Sequence, residues 1–336
     1  MRVGLLTDLE MVNSVYRGLP VLQLVRRGHE VVLAWDHARR GPRLDALHGC
    51  DVVHIYRYCD APVRRAAEQL RAAGVGIVWD NDDDLTTGPE GIGEPATKRG
   101  ALRSQQIRSD MIRMMRLAHV VTTPSAVLAE QYHEWGAERV RVVENYLPAE
   151  YDPGPVEARR GGNGVTVGWT ACGEHRYDLV HLGLRDVLAR LLELHPSLRI
   201  VSIGLDLGLP RERYACHPKV QYQELAPLVV QFDVGIAPIA DIPFNRARSN
   251  VKLKEYGAAG VPWLASPIGP YTGMGEKQGG RLVADEQWFE ELDRLVRDER
   301  ARRKLVKRAA KWAAGERVAE NVRRWEEALA EAAALT

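Results

Sequence analysis

The stretch Asp233–Tyr271, DVGIAPIADIPFNRARSNVKLKEYGAAGVPWLASPIGPY, decides how the rest of the chain is read. Its apolar opening, Val234 to Ile239, is closed off by Pro238 and Asp241, the pattern of a buried parallel strand. A polar loop carrying Pro243, Asn245, Arg246 and Arg248 follows and reads as flexible. Ser249 or Asn250 then caps a short helix starting near Val251, with Gly257 and Gly260 at its end and Pro262 as the stop. Trp263 to Ser266 is the next strand, broken by Gly269-Pro270.

Arg248 just before that helix and Lys252 in its first turn put two cations where the helix dipole is already positive. A bound anion removes the misfit, because a diphosphate takes both side chains and the free backbone N–H groups. Glu255 lies three residues after Lys252, on the same helix face, where a carboxylate can accept two hydrogen bonds from a ribose diol. The competing reading is a solvated helix in which Lys252 and Glu255 pair with each other. Spacing alone leaves both open.

A chain of 336 residues suits two domains, each able to bury its own core. Charged residues make up 27% and hydrophobic ones 45%, ordinary for a globular protein. A net charge of +1 gives no electrostatic case for nucleic acid or an anionic membrane as partner. Cys50, Cys59, Cys172 and Cys216 have no metal-binding spacing and suit a reducing, cytoplasmic setting. Met1-Arg2 leads directly into a strand, which speaks against a signal peptide, and no apolar run approaches the roughly 18 residues of a membrane span.

Strands are expected at Val3–Thr7, His29–Ala34, Asp51–Tyr56, Gly76–Asp80, His119–Ser125 and Arg139–Glu144, with helices at Leu19–Arg27, Ala61–Ala73 and Arg103–Leu117. Ligands bind at the carboxyl ends of such strands, so Tyr16, Arg17 and Gly18 in the first loop are cleft candidates, as is Arg57. Asn81-Asp82-Asp83-Asp84 leaves another strand end. These carboxylates could hold a metal, act as a general base or bind acceptor hydroxyls, or cap the next helix. Gly88 to Gly100, rich in Gly, Pro and Glu, reads as a mobile loop.

Pro153–Gly164 marks a linker, with the boundary near residue 160. Beyond it, strands are expected at Val165–Thr170, Arg199–Ile203, Val220–Gln223 and Gly279–Ala284, with one long helix over Asp178–Leu194 and another at Leu225–Phe232. Strand and helix alternate again, giving a second doubly wound α/β unit. The loop Ala171-Cys172-Gly173-Glu174-His175-Arg176 precedes a helix start and is an anion site by position, although a histidine there is otherwise often a surface residue. Three helices, over Glu286–Asp298, Glu299–Ala314 and Glu316–Ala334, close the chain, with Trp312 and Trp325 as packing anchors.

The segment SNVKLKEYGAAGVPWLAS (249–266) resembles the donor-binding signature of GT-B glycosyltransferases, above all their family 4-like group. RRGHEV (26–31), VWDNDDDL (78–85), VVENYLPAEYD (142–152) and the loop G-W-T-x-x-G-x-H (168–175) resemble other parts of that family. The resemblance implies two facing Rossmann-like domains around a cleft: residues 1–155 for the acceptor, 161–315 for a nucleotide sugar, and a final helix, 316–336, packing back on the first domain. It implies Glu255 as ribose ligand, Arg248 and Lys252 as diphosphate ligands, and Ser249, Asn250, Gly173 and Arg176 as further donor contacts. Asp82, Asp83 and His175 are the expected catalytic residues, and Arg17, Arg57 and Asp84 the expected acceptor contacts. No metal or other cofactor is expected. The implied partners are a nucleotide-sugar donor and a small-molecule, lipid-linked or saccharide acceptor. One departure stands out: Ala247 occupies the place, eight residues before Glu255, where the family carries a sugar-binding Glu. A sugar-nucleotide epimerase and a non-catalytic binding protein on the same scaffold are the alternatives.

Overall fold

The computed structural model describes residues 1–10, 14–88, 98–154 and 164–336. The linker boundary expected near residue 160, and most of the expected mobile loop, lie outside the described residues.

Strands β1 (Arg2–Leu6), β2 (Glu30–Leu33), β3 (Val52–Tyr56), β4 (Gly76–Asp80), β5 (Val120–Thr123) and β6 (Val140–Val142) form one sheet in the order β2-β1-β3-β4-β5-β6. Strands β7 (Thr166–Thr170), β8 (Arg199–Ile203), β9 (Tyr214–His217), β10 (Val234–Ala237), β11 (Trp263–Ala265) and β12 (Gly280–Leu282) form the other, ordered β9-β8-β7-β10-β11-β12. All pairings in both are parallel. Helices cover both faces, so β3 and β4 are buried at every residue rather than alternating. Each sheet reverses its winding once, between β1 and β3 and between β7 and β10, and ligand crevices form at such points.

The last helix, Arg323–Ala334, belongs to the first sheet in space. Trp325, Ala328, Leu329 and Ala332 recur at helical spacing and pack with Val3, Val52, Val78 and Val120. The alanine face allows close approach: a Cβ on Gly76 would stand 2.8 Å from the Ala332 carbonyl. The crossing is tied by Leu147, whose N–H donates to the Glu316 carbonyl at 2.9 Å and whose carbonyl accepts from the Val318 N–H at 2.9 Å.

Four local expectations are corrected. The first helix is Val15–Leu22, four residues earlier than its apolar spacing suggested, and a 3-10 turn over Gln23–Arg27 completes it. The long helix expected over Asp178–Leu194 is two, His175–His181 and Leu184–Leu194, broken at Gly183 with φ 59°. Val220–Gln223 is not a strand. Glu224 accepts the Gln221 N–H at 3.0 Å and starts the helix Tyr222–Val229, while the edge strand is Tyr214–His217. The loop before Val251 contains a short helix, Pro243–Arg246.

Arg17 is completely enclosed beneath the cleft. Its guanidinium meets Asp80 at 3.0 Å, donates to the Val143 carbonyl and to Asn145 Oδ1 (3.1 Å), and lies over the Trp325 ring. His54 Nε2 completes the Asp80 environment at 2.9 Å. Burial alone would raise the Asp80 carboxyl, but Arg17 and then His54 outweigh it and hold it below the usual carboxylate range. A depressed acid stabilises the fold above its unfolded pKa, and that contribution disappears as pH falls through the folded value. Arg17→Ala leaves a buried carboxylate without its partner and should cost about 3–5 kcal/mol in chemical denaturation at pH 7. A loss below about 1 kcal/mol would contradict the enclosed pair.

Candidate active site in the interdomain cleft

The helix Val251–Ala258 carries the central residues and is fixed from beneath. Tyr256 lies against β10 where Gly235 has no side chain; a Cβ there would meet the ring at 2.8 Å. Its hydroxyl donates to the Ile236 carbonyl (2.8 Å) and accepts from the Thr170 N–H (3.1 Å). Lys254 is wholly buried between Glu144 and Glu316, 2.7 Å from each. Neither Ser249 nor Asn250 caps the helix with its side chain, contrary to expectation. Asn250 reaches Glu144 at 3.5 Å, and Ser249 Oγ accepts from Asn145 Nδ2 at 3.1 Å. The backbone donors of the first turn are therefore not taken up by side-chain caps.

A cavity of about 230 Å³ opens above this turn, between the domains. Arg248, Ser249, Lys252 and Glu255 line one side, Thr170, Ala171, Cys172 and Glu174 another, and Tyr16, Asp82, Asp83 and Asn145 the first-domain wall. Lys252 Nζ donates to the Thr170 carbonyl and to its Oγ1 at 3.1 Å, which aims the ammonium at the end of β7. Lys252 and Glu255 do not pair by hydrogen bond; Glu255 Oε1 accepts instead from the Tyr16 hydroxyl of the first domain. Arg248 lies over the Phe244 ring, and its buried Nη1 has no hydrogen-bond partner among the described residues.

Burial pushes the site's charges toward neutrality. It lowers the Lys252 pKa, with Arg248 adding to the effect, and raises Glu255 against the opposing pull of Lys252 and Tyr16. Asp83 is pushed up to about 6, first by burial and then by the neighbouring Asp82 carboxylate. Burial opposes the Arg248 charge, but Cys172, Asp83, Tyr271 and Glu174 outweigh it and raise its pKa. Oppositely shifted groups gathered in one cleft are a mark of a working site.

Several expected site residues stand elsewhere. Arg17 cannot reach an acceptor, being enclosed as described above. Asp84 holds its own loop, accepting from the Thr86 N–H (2.9 Å), Thr86 Oγ1 (2.6 Å) and Thr87 Oγ1 (2.7 Å). Arg57, at φ 64°, is occupied by Asp82 (2.9 Å from Nε) and Asp83 (2.6 Å), while Tyr56 also donates to Asp82 at 2.6 Å. It orients these carboxylates rather than facing the cavity. His175 is buried, its Nδ1 2.8 Å from Asp178. Burial first, then Arg248, brings its pKa to about 3, so at neutral pH it is a neutral imidazole rather than an imidazolium that could serve as general acid. Gly173 and Arg176 are exposed and do not line the cavity; Cys172 and Glu174 do. Tyr151 and Tyr222 were missed: Tyr151 donates to the Glu255 carbonyl at 3.0 Å, and Tyr222 packs edge-on to Tyr16. Tyr151 stands in the segment 142–152 and Tyr222 in no motif, but only the fold brings either to Glu255.

The chain matches no protein-family model and no curated protein. Its fold is widely shared among solved structures. Sucrose-phosphate synthase from Thermosynechococcus elongatus superposes with a TM-score of 0.73 at 14% identity, over 100% of both chains. HepE from Anabaena, solved in complex with UDP-glucose, gives 0.64 at 14% identity, over 98% of this chain and 99% of the other. A putative UDP-N-acetylglucosamine 2-epimerase from Listeria monocytogenes gives 0.60 at 12% identity, over 100% and 97%. The chain has the GT-B architecture: two α/β domains facing each other across a cleft.

If Lys252 and Arg248 form an anion site, inorganic pyrophosphate should bind best when both are charged. The depressed Lys252 pKa means affinity falls as pH rises through that value, sooner than an ordinary lysine near 10.4 would allow. Calorimetric titration between pH 7 and 10 checks this, and an affinity flat to pH 10 would contradict it.

Proposed function

We propose that this protein is a nucleotide-sugar-dependent glycosyltransferase of the family 4-like group. The observation that carries the reading is the uncapped first turn of Val251–Ala258, flanked by Arg248 and Lys252, with Glu255 one turn deeper on the cleft side. Among the described residues Arg248 Nη1 is a buried donor without a partner, and a diphosphate oxygen would satisfy it. Lys252 and the backbone N–H groups take the other phosphate, and Glu255 takes the ribose diol. UDP and GDP are the candidate nucleotides.

As the sugar's anomeric carbon leaves the diphosphate, negative charge grows on the bridging oxygen, where Arg248 and Lys252 stand ready. The acceptor hydroxyl attacks that carbon from the same face the diphosphate leaves, forming the new C–O bond as the old one breaks, and its proton passes to Asp83, which Arg57 keeps in place. Product with retained anomeric configuration is the expected outcome. The cations do the work a divalent metal would otherwise do, so activity should persist in EDTA. The acceptor is a small molecule, a lipid-linked sugar or a saccharide rather than nucleic acid. Four unpaired cysteines fit a cytoplasmic location, and among the described residues no helix is long and apolar enough to cross a membrane.

The Listeria structure shows that this fold also occurs in a putative epimerase. Product analysis separates the two, since an epimerase needs no acceptor. A thermal-shift screen of UDP- and GDP-sugars should reveal one that stabilises the wild type, by about 2.7 kcal/mol at a hundredfold its dissociation constant. Glu255→Ala should lose that response; an equal response from the variant would remove Glu255 from the donor site. With the active donor, turnover should climb as pH rises through about 6 and Asp83 ionises.

A further inference from the structure

Glu255 belongs to the second domain, yet its carboxylate is oriented from the first. Oε1 accepts the hydroxyl of Tyr16, on the helix Val15–Leu22. Oε2 accepts no hydrogen bond from the described residues and is not among the enclosed unpartnered atoms, so it opens onto the cavity that Glu255 lines. Tyr16 itself is held: its ring packs edge-on to Tyr222 at 5.3 Å, within an apolar cluster with Leu147, Tyr151 and Ala226. Tyr151 fixes the backbone at the same point through the Glu255 carbonyl. The two domains therefore share one functional side chain, one supplying the acid and the other its orientation.

We propose that Tyr16 is a positioning residue that holds the Glu255 carboxylate turned so that one oxygen, Oε2, receives the ribose diol of a nucleoside diphosphate. This rests on the nucleotide-sugar reading above. A tyrosine hydroxyl donates to the ionised carboxylate and favours that form, and a donor to a charged group is stronger than a neutral hydrogen bond. Because the donor comes from the opposite domain, the ribose contact is complete only while the two domains are together. Nucleotide binding and domain closure are thereby linked through a single hydroxyl.

The charges facing Glu255 make the pH dependence readable. Lys252 and Tyr256 face it from its own helix, and Tyr16, Tyr151, Tyr222 and Tyr271 from other elements. As pH falls the tyrosines stay neutral and Lys252 only gains charge, which favours an anion, so within this group Glu255 is the member whose protonation weakens binding; Asp83 on the facing wall, pushed up to about 6, is common to every variant. Removing the Tyr16 hydroxyl deletes a donor to the ionised form, so Glu255 protonates at a higher pH than in wild type.

The test is calorimetric titration of the full chain with UDP and with GDP between pH 5 and 8, using wild type, Tyr16→Phe, Glu255→Gln and the double variant. For the nucleotide that binds, wild-type affinity should weaken in acid. Tyr16→Phe should weaken it about tenfold at pH 7 and shift the acid limb upward by roughly one unit. Glu255→Gln should remove the part of the limb that Tyr16→Phe shifts, leaving what the nucleotide's terminal phosphate, with a second pKa of about 6, and Asp83 contribute, and adding Tyr16→Phe to it should change little. An unchanged limb in Tyr16→Phe, or equal losses from Tyr16→Phe in both backgrounds, would overturn the positioning role and leave the donor site standing. If neither nucleotide binds wild type at millimolar concentration, the nucleotide reading fails instead.

Discussion

Lys254 is the constraint on which the cleft depends. An ammonium enclosed to this degree is tolerable only when fully paired, and its partners come from two different crossings of the chain: Glu144 after β6 and Glu316 before the final helices. The same side chain lies over the Tyr146 ring at 4.3 Å. Helix Val251–Ala258 is thus anchored at the junction between the domains, with Tyr256 securing it to β7 and β10. Lys252, on the Tyr256 side of the helix and bonded like it to Thr170, and Glu255 are left lining the cleft. One buried charge thus fixes the placement of the two charged side chains that line the cavity.

Charges of both signs meet in the cleft, with Glu174 and Glu255 beside the second domain's cations. Cations gather at the second-domain helix start, and carboxylates at the end of β4. Arg57 holds Asp82 and Asp83 from behind, in a backbone conformation that an arginine rarely adopts. Buried Asp80, Arg17 and Asn145 and half-buried Ser249 form a polar chain from the first sheet to the loop that starts the helix. The two walls are therefore connected below the cavity as well as across it, which suits a site where donor and acceptor must meet in one geometry.

Much of this was legible in the sequence, and the reasons are physical. Uninterrupted apolar runs such as GIVWD located the buried parallel strands almost to the residue, because both faces of such strands are covered. Lys252 and Glu255 shared a face by helical spacing alone. Other features were not legible because they depend on contacts distant in sequence. Arg17 follows an ordinary strand-to-helix turn, and nothing local says it will be taken up by Asp80 and Trp325. Asp84 and Asp83 are neighbours of identical chemistry, yet one faces the cavity and the other is used by Thr86 and Thr87. Tyr214–His217 escaped notice because an edge strand is only partly buried and carries little periodic signal. Gly183 broke a helix whose apolar spacing continues past it, since a left-handed residue leaves the hydrophobic pattern intact.

The central claim is that a diphosphate docks on the uncapped turn at Val251. A crystal structure of the protein soaked with UDP or GDP tests it most directly. The account predicts phosphate oxygens within hydrogen-bond reach of Arg248 Nη1, Lys252 Nζ and the first-turn backbone, with the ribose against Glu255. Nucleotide bound elsewhere, with this turn facing only solvent, would contradict it.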